Sequence, residues 1–172
     1  SQAIDEWFPD STKTDQIVAI INTAQIDSFD VILFRQGEAN ADLGNTEAEY
    51  ALKVDTVFNA YRDSAWFGAS GQIILGGLNE QYQNTGVFDY YQHVNDPQNG
   101  GEGYVGVQVL GLSQAGGIHQ DGATIDTVGA RYYQAFSGQS RQYALSNQPY
   151  ASWNTRNDLA LSPSPTTMPG FR

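Results

Sequence analysis

Phe29-Asp30-Val31-Ile32-Leu33-Phe34-Arg35-Gln36-Gly37-Glu38-Ala39-Asn40 is an apolar run that turns polar at a glycine. Asp27 and Ser28 precede it, and Phe29 to Phe34 is rich in β-formers, as in a strand buried on both faces of a parallel sheet. Directly behind this first strand, Gly37 stands between side chains that donate and accept hydrogen bonds. A glycine turn at the carboxyl end of a buried strand can present backbone N–H and amide donors to an oxyanion.

Working outward, Ile17, Ile20, Ile21 and Ala24 recur at helical spacing behind a Ser/Thr/Asp-rich approach, which predicts a helix from about Thr12 to Gln25. On the other side, Thr46-x-x-Glu49 is a capping-box pattern ahead of Tyr50, Val54, Val57, Phe58 and Tyr61, and predicts a helix from Glu47 to about Arg62. Gln72 to Gly77 and Tyr104 to Leu110 are two further β-runs. The Asn, Gln and Gly residues between Asn79 and Gly103 read as loop. Ile125, Val128, Tyr132 and Phe136 place a last helix from about Thr124 to Phe136. Residues 138–172 hold most of the prolines and little periodicity, and read as a carboxyl-terminal extension, either a surface wrap or a tail, behind a domain at 1–137.

Strands alternating with helices imply an α/β layer architecture with right-handed crossovers, in which ligands bind beyond the carboxyl ends of the strands. Functional residues are therefore expected after Phe34, after Leu75 and after Leu110. The third place leads into Gly116-Gly117-Ile118-His119-Gln120-Asp121-Gly122, where a loop histidine can serve as general base for a hydroxyl nucleophile.

Composition sets the outer limits. The 172 residues suffice for one domain, which buries roughly 70% of its unfolded surface. Eight Lys and Arg against nineteen Asp and Glu give a net charge of −11, which repels phosphate backbones and anionic headgroups, so neither nucleic acid nor membrane is an expected partner. With no cysteine there is neither disulfide nor thiolate metal site, and the compartment stays open between cell interior and exterior. No run approaches the roughly 20 apolar residues of a membrane span, the expectation is a soluble chain, and Ser1 in place of Met suggests a processed or trimmed one.

The segment Val31 to Asn40 resembles the strand and QGE block of SGNH (GDSL-type) hydrolases of the sialate O-acetylesterase and plant-type carbohydrate acetylesterase group. A Tyr-containing helix after the block, the strand Ile73-Ile74-Leu75-Gly76-Gly77-Leu78, the Gly117-Ile118-His119 block and Gly129-Ala130-Arg131-Tyr132 follow in the order that family shows. The resemblance spans about Phe29 to Phe136. It implies a three-layer α/β/α, flavodoxin-like fold with a mainly parallel sheet, and hydrolysis of an ester-linked acyl group, usually acetyl, on a sugar. His119 would be the general base. Gln36 and Gly37 would contribute to the oxyanion hole and its support, Glu38 would orient the block, and Asn40 would touch substrate. No cofactor is implied.

Two departures qualify this. The family's nucleophile sits in a Gly-x-Ser-like block after the first strand of the domain, and nothing before Gln36 matches it, so the nucleophile stays unassigned and the chain resembles the carboxyl-terminal part of the domain, lacking its first strand or strands. Gly116 occupies the place of the aspartate three residues before the histidine, which removes the imidazole's orienting partner. Asp121 is a surrogate for it or, more simply, the cap of the last helix. Ser70 precedes a strand instead of following one and reads as a loop serine, and His93 reads as an exposed loop residue. Two isolated histidines make no metal site.

Two functions stand against each other. One is a carbohydrate O-acyl (acetyl) esterase whose serine lies in another segment or chain that completes the domain. The other is a catalytically inactive module of the same fold that binds an O-acetylated or other glycan, or a neighbouring subunit, for which an extracellular or virion-attached adhesin is a natural setting. Three Trp, ten Tyr and many Asn and Gln suit sugar contacts.

Overall fold

The computed structural model describes residues 2–95, 104–107, 109 and 122–137. Strands β1 (Phe29–Arg35), β2 (Phe67–Gly76) and β3 (Val105–Val107) form an all-parallel sheet in the order β1-β2-β3. Helices α1 (Thr12–Ala24), α2 (Glu38–Asp42), α3 (Glu47–Arg62), α4 (Gly86–Asn95) and α5 (Gly122–Ser137) surround it, with single 3-10 turns at Ile4–Trp7 and Glu80–Tyr82.

Strand alternation sorts the core into two layers. Ile73 and Leu75 of β2, with Ile32 and Phe34 of β1, pack against Tyr50, Val54 and Phe58 of α3 and Val87, Phe88 and Tyr91 of α4. Ile74 and Val107, with Val31, face the other way and meet Val128, Tyr132 and Ala135 of α5. The chain is thus α/β with helices on both faces of an open parallel sheet, as the alternating pattern implies.

Local signals account for the helix starts. The Ser11 side chain accepts from Thr14 N–H at the start of α1, and Gln25 closes that helix in the left-handed conformation with φ +54°. Thr46 and Glu49 form the reciprocal capping box expected ahead of α3.

Two expectations are corrected. The stretch from Asn79 read as loop contains the 3-10 turn and α4, and His93 is helical, with Nδ1 3.7 Å from Glu47 Oε1. The missed signal is Thr85, whose hydroxyl accepts from Phe88 N–H, ahead of the helical series Val87, Phe88, Tyr91 and Val94, all buried. Ser70 lies inside β2, which begins five residues before Gln72. Gln108 and Leu110 of the third β-run, and residues 138–172, lie outside the described residues. Among the described residues no helix is long and apolar enough to cross a membrane.

Candidate functional site

The parallel register brings the ends of β1 and β2 level, with Arg35 opposite Gly76, and Gly77 N–H donates to Val107 O of β3 at 2.9 Å. Gln36 and Gly37 leave the sheet here and enter α2 at Glu38. Gly37 has φ +141°, and a β-carbon on it would lie 2.9 Å from Val87 Cγ1 and 3.2 Å from both Tyr50 Oη and Tyr91 Cε2. Both the backbone and the packing of α3 and α4 therefore demand glycine at this turn.

Gln36 is buried and its side-chain amide is fully engaged. Nε2 donates to Gln2 O and to Asn40 Oδ1, the latter at 2.9 Å, while Oε1 lies 3.0 Å from the Tyr50 hydroxyl. The Tyr91 hydroxyl donates to the Gln36 carbonyl, and the two phenols are 3.0 Å apart. Burial, with the neighbouring Tyr91 next in weight, pushes the Tyr50 phenol well above its usual range, and burial does the same for Tyr91.

Asn40 continues the network inward. Its Oδ1 accepts from Ile4 N–H at 2.8 Å, and its Nδ2 donates to Asn45 Oδ1 at 2.8 Å and to Asp5 Oδ2 at 3.4 Å. Lys53 Nζ closes the circuit on Asp5 Oδ2 at 2.9 Å and Asn45 Oδ1 at 3.3 Å. Burial pulls the Asp5 carboxyl upward, but the Lys53 hydrogen bond and charge together outweigh it and leave the group below the usual carboxylate range. Asn40 is wholly buried, and its amide ties the amino-terminal turn to the end of β1.

Glu38 points elsewhere. Its side chain is largely buried, Arg35 Nη2 lies 3.9 Å from its Oε1, and its charge contributes to the upward displacement of the Tyr50, Tyr82, Tyr91 and Tyr132 phenols. Arg35 in turn lays its Nε 3.5 Å from Gly77 O, and its buried Nη2 makes no hydrogen bond. From the opposite helical layer, the Tyr132 hydroxyl donates to Phe34 O at 3.1 Å and rests against Gly76. Among the described residues, the ends of β1 and β2 therefore carry the Glu38 carboxylate, the Arg35 guanidinium and a surround of phenols.

Of the residues singled out in the sequence, Gln36, Gly37, Glu38 and Asn40 are brought together here, while His119, Gly116 and Asp121 lie outside the described residues. Each hydrogen of the Gln36 amide already has an acceptor, so holding an oxyanion would require releasing Gln2 or Asn40. Tyr91, Arg35 and Tyr132 were not expected at this site. Tyr91 falls in the stretch read as loop, Arg35 stands in the sequence only as part of the strand-end block, and the helical spacing that puts Tyr132 on a buried face says nothing of the strand end its hydroxyl reaches. Among the described residues no group of three His, Asp or Glu is arranged to hold a metal ion. The chain matches no protein-family model, no curated protein and no solved structure.

Proposed function

We propose that this chain carries part of a carbohydrate O-acyl (acetyl) esterase site of the SGNH type, with His119 as general base and with the Gln36-Gly37-Glu38 turn as the support of the oxyanion. The observation that favours this reading is Glu38, a largely buried carboxylate at the carboxyl end of β1, facing Arg35 on a turn that only glycine can make. Taking a charge out of water costs several kcal/mol unless it is well paired, and at 3.9 Å the pair is loose. It stands at the carboxyl ends of parallel strands, the edge at which open α/β sheets bind their ligands. In this role Glu38 is a positioning residue. It sets the field around the turn, while the base removes a proton from a serine hydroxyl supplied by a segment or chain that completes the site. That serine oxygen then bonds to the acyl carbon, and the sugar oxygen leaves with the proton.

One observation favours the second reading, an inactive module that binds glycan. Gln36 and Asn40 spend their amides inside the fold, which suits a scaffold better than a reaction centre. Hydrolysis of an aryl acetate and of an O-acetylated sugar separates the two. The chain alone is expected to leave both intact, while the protein as it occurs in its source hydrolyses them and loses at least about 10²-fold in His119→Ala. Turnover by the chain alone that vanishes in His119→Ala would place the nucleophile within these 172 residues and end the shared-site reading. Saturable binding of the acetylated sugar by the whole protein, with no hydrolysis, would establish the second.

A further inference from the structure

We propose that the free edge of β1 takes up one more strand, parallel to β1 and leading into Gln2. Apolar side chains dominate Phe29 to Arg35, and from Val31 to Arg35 the register with β2 is regular. Such a run belongs to the interior of a parallel sheet. β2, which lies between two strands, buries Ile73, Ile74 and Leu75 almost completely. β1 is as apolar but stands last in the order β1-β2-β3, with Val31, Ile32 and Phe34 only half-buried and Leu33 57% exposed. Among the described residues no strand lies beside its outer edge. Its charges, Asp30 and Arg35, only flank Val31 to Phe34, which lacks the lysine, proline or bulge that keeps exposed edges from pairing.

Handedness selects the occupant and its direction. α3 joins β1 to β2 and α4 joins β2 to β3, both on one face, and each crossover advances the chain by one strand. α3 has α4 on its β3 side and the turn Ile4–Trp7 on its β1 side, where the Trp7 and Phe34 rings meet edge-on with centroids 6.1 Å apart. α1 packs on that turn, and the Thr14 hydroxyl lies 2.9 Å from Trp7 O and 3.1 Å from the Tyr61 hydroxyl of α3. α1 is thus on the same face as α3, one step behind it. Crossovers between parallel strands are right-handed, so a helix at that place follows a strand one step behind β1.

The path of the chain agrees. Gln2 O accepts from Gln36 Nε2, and Ile4 N–H donates to Asn40 Oδ1 at 2.8 Å, which fixes residues 2–4 at the carboxyl end of β1. α1 then returns to the opposite end, where Phe29 opens β1. A strand leading into Gln2 therefore ends level with β1 and runs parallel to it. The apolar face of α1 is short of a partner as well. Ile17, Ile20, Ile21 and Ala24 share it, yet among the described residues none belongs to either core cluster, and Ile20 is 66% exposed. The carboxyl end of the added strand stands beside the Gln36-Gly37 turn, the place from which the esterase reading draws its serine. Topology alone carries the strand, which stands without that reading.

Amide hydrogen exchange tests it on the 172-residue chain and on the protein as it occurs in its source. In the chain alone, alternate amides from Val31 to Arg35 are expected to exchange at least about tenfold faster than those paired with β2, because only one edge of the strand is bonded. In the source protein both sets are expected to be slow. Leu33→Lys gives a second readout. It is expected to leave the urea midpoint of the chain unchanged and to lower that of the source protein, where Leu33 lies inside the sheet. Fast alternate amides in the source protein, or a midpoint loss no larger there than in the chain, would overturn the proposal. So would alternate amides already slow in the chain. Protection that fades on dilution would give the edge to a second copy, and protection that persists would give it to another segment of the same chain.

Discussion

The Tyr50 hydroxyl stands 3.0 Å from both the carbonyl and the side-chain Oε1 of Gln36, and both residues are buried. A phenol has one hydrogen; the carbonyl already accepts from the Tyr91 hydroxyl, whereas among the described residues Tyr50 is the one donor that reaches Oε1, so satisfying both acceptors puts the Tyr50 hydrogen on Oε1. Tyr50→Phe leaves Gln36 Oε1 unsatisfied in the interior. The expected loss is about 1–3 kcal/mol in urea unfolding, with the denaturant slope unchanged. Destabilisation well below that range would mean that water replaces the phenol and that the turn at Gly37 is less closed than the packing implies.

Much of this arrangement was legible before the structure, and the rest was not for definable reasons. Tyr50 was placed on the buried face of α3 by its spacing from Val54, Val57 and Phe58, because helical periodicity reports burial. Periodicity says nothing of where a buried hydroxyl finds its partner, and Gln36 lies 14 residues upstream on another element. The Gln36 turn was recognised as a strand-end feature, but the engagement of its amide with Gln2 and Asn40 depends on the amino-terminal turn packing beside β1, a contact between distant segments. The helix α4 was lost to composition. The Asn, Gln and Gly residues of the stretch mask the helical spacing of Val87, Phe88, Tyr91 and Val94 behind the capping Thr85.

Alkaline pH should expose the same phenols. Burial raises Tyr50 and Tyr91 above the usual phenol value of 10.0, so in the unfolded chain these groups lose protons at a pH where the folded chain keeps them. The unfolded state then binds fewer protons, and stability, intact below about pH 10, falls as pH rises beyond it, by up to about 1.4 kcal/mol per pH unit for each phenol. Unfolding midpoints measured across that range should decline, and less steeply in Tyr91→Phe. Glu38→Gln removes a negative charge that adds to the displacement of Tyr50, Tyr91 and Tyr132, so near-ultraviolet phenolate absorbance should set in at lower pH. An unchanged onset would detach Glu38 from the phenols and, with them, from the proposed site.

Gly76 and Tyr132 should prove coupled. A β-carbon on Gly76 would run into the Tyr132 hydroxyl and come within 3.0 Å of its Cζ. Gly76→Ala is expected to cost about 2–4 kcal/mol through overpacking, and Tyr132→Phe about 1 kcal/mol through the lost bond to Phe34 O. The double variant relieves the clash with the hydroxyl while retaining the approach of the ring. Its loss should fall short of the sum by at least about 1 kcal/mol in a double-mutant cycle. Simple additivity would show that α5 shifts on β2 to admit the methyl group and that its hold on the end of β1 is loose.

Gly37 and Gly44 allow the two demands on a glycine to be measured apart. Gly44 has φ +74° with nothing within 4 Å of an added β-carbon, so Gly44→Ala bears only the conformational cost, about 1–2 kcal/mol. Gly37 has φ +141°, and its added carbon meets Val87, Tyr50 and Tyr91 besides. Gly37→Ala should therefore lose about 2–4 kcal/mol, the excess over Gly44→Ala reporting the pressure of α3 and α4 on the turn. Replacing Val87 by alanine in the same chain opens the 2.9 Å approach and should recover part of that excess. Equal losses at Gly37 and Gly44 in urea unfolding would mean that the aromatic wall yields to a methyl group. The Gln36-Gly37-Glu38 turn would then lack the rigid backing that electrostatic support of an oxyanion requires.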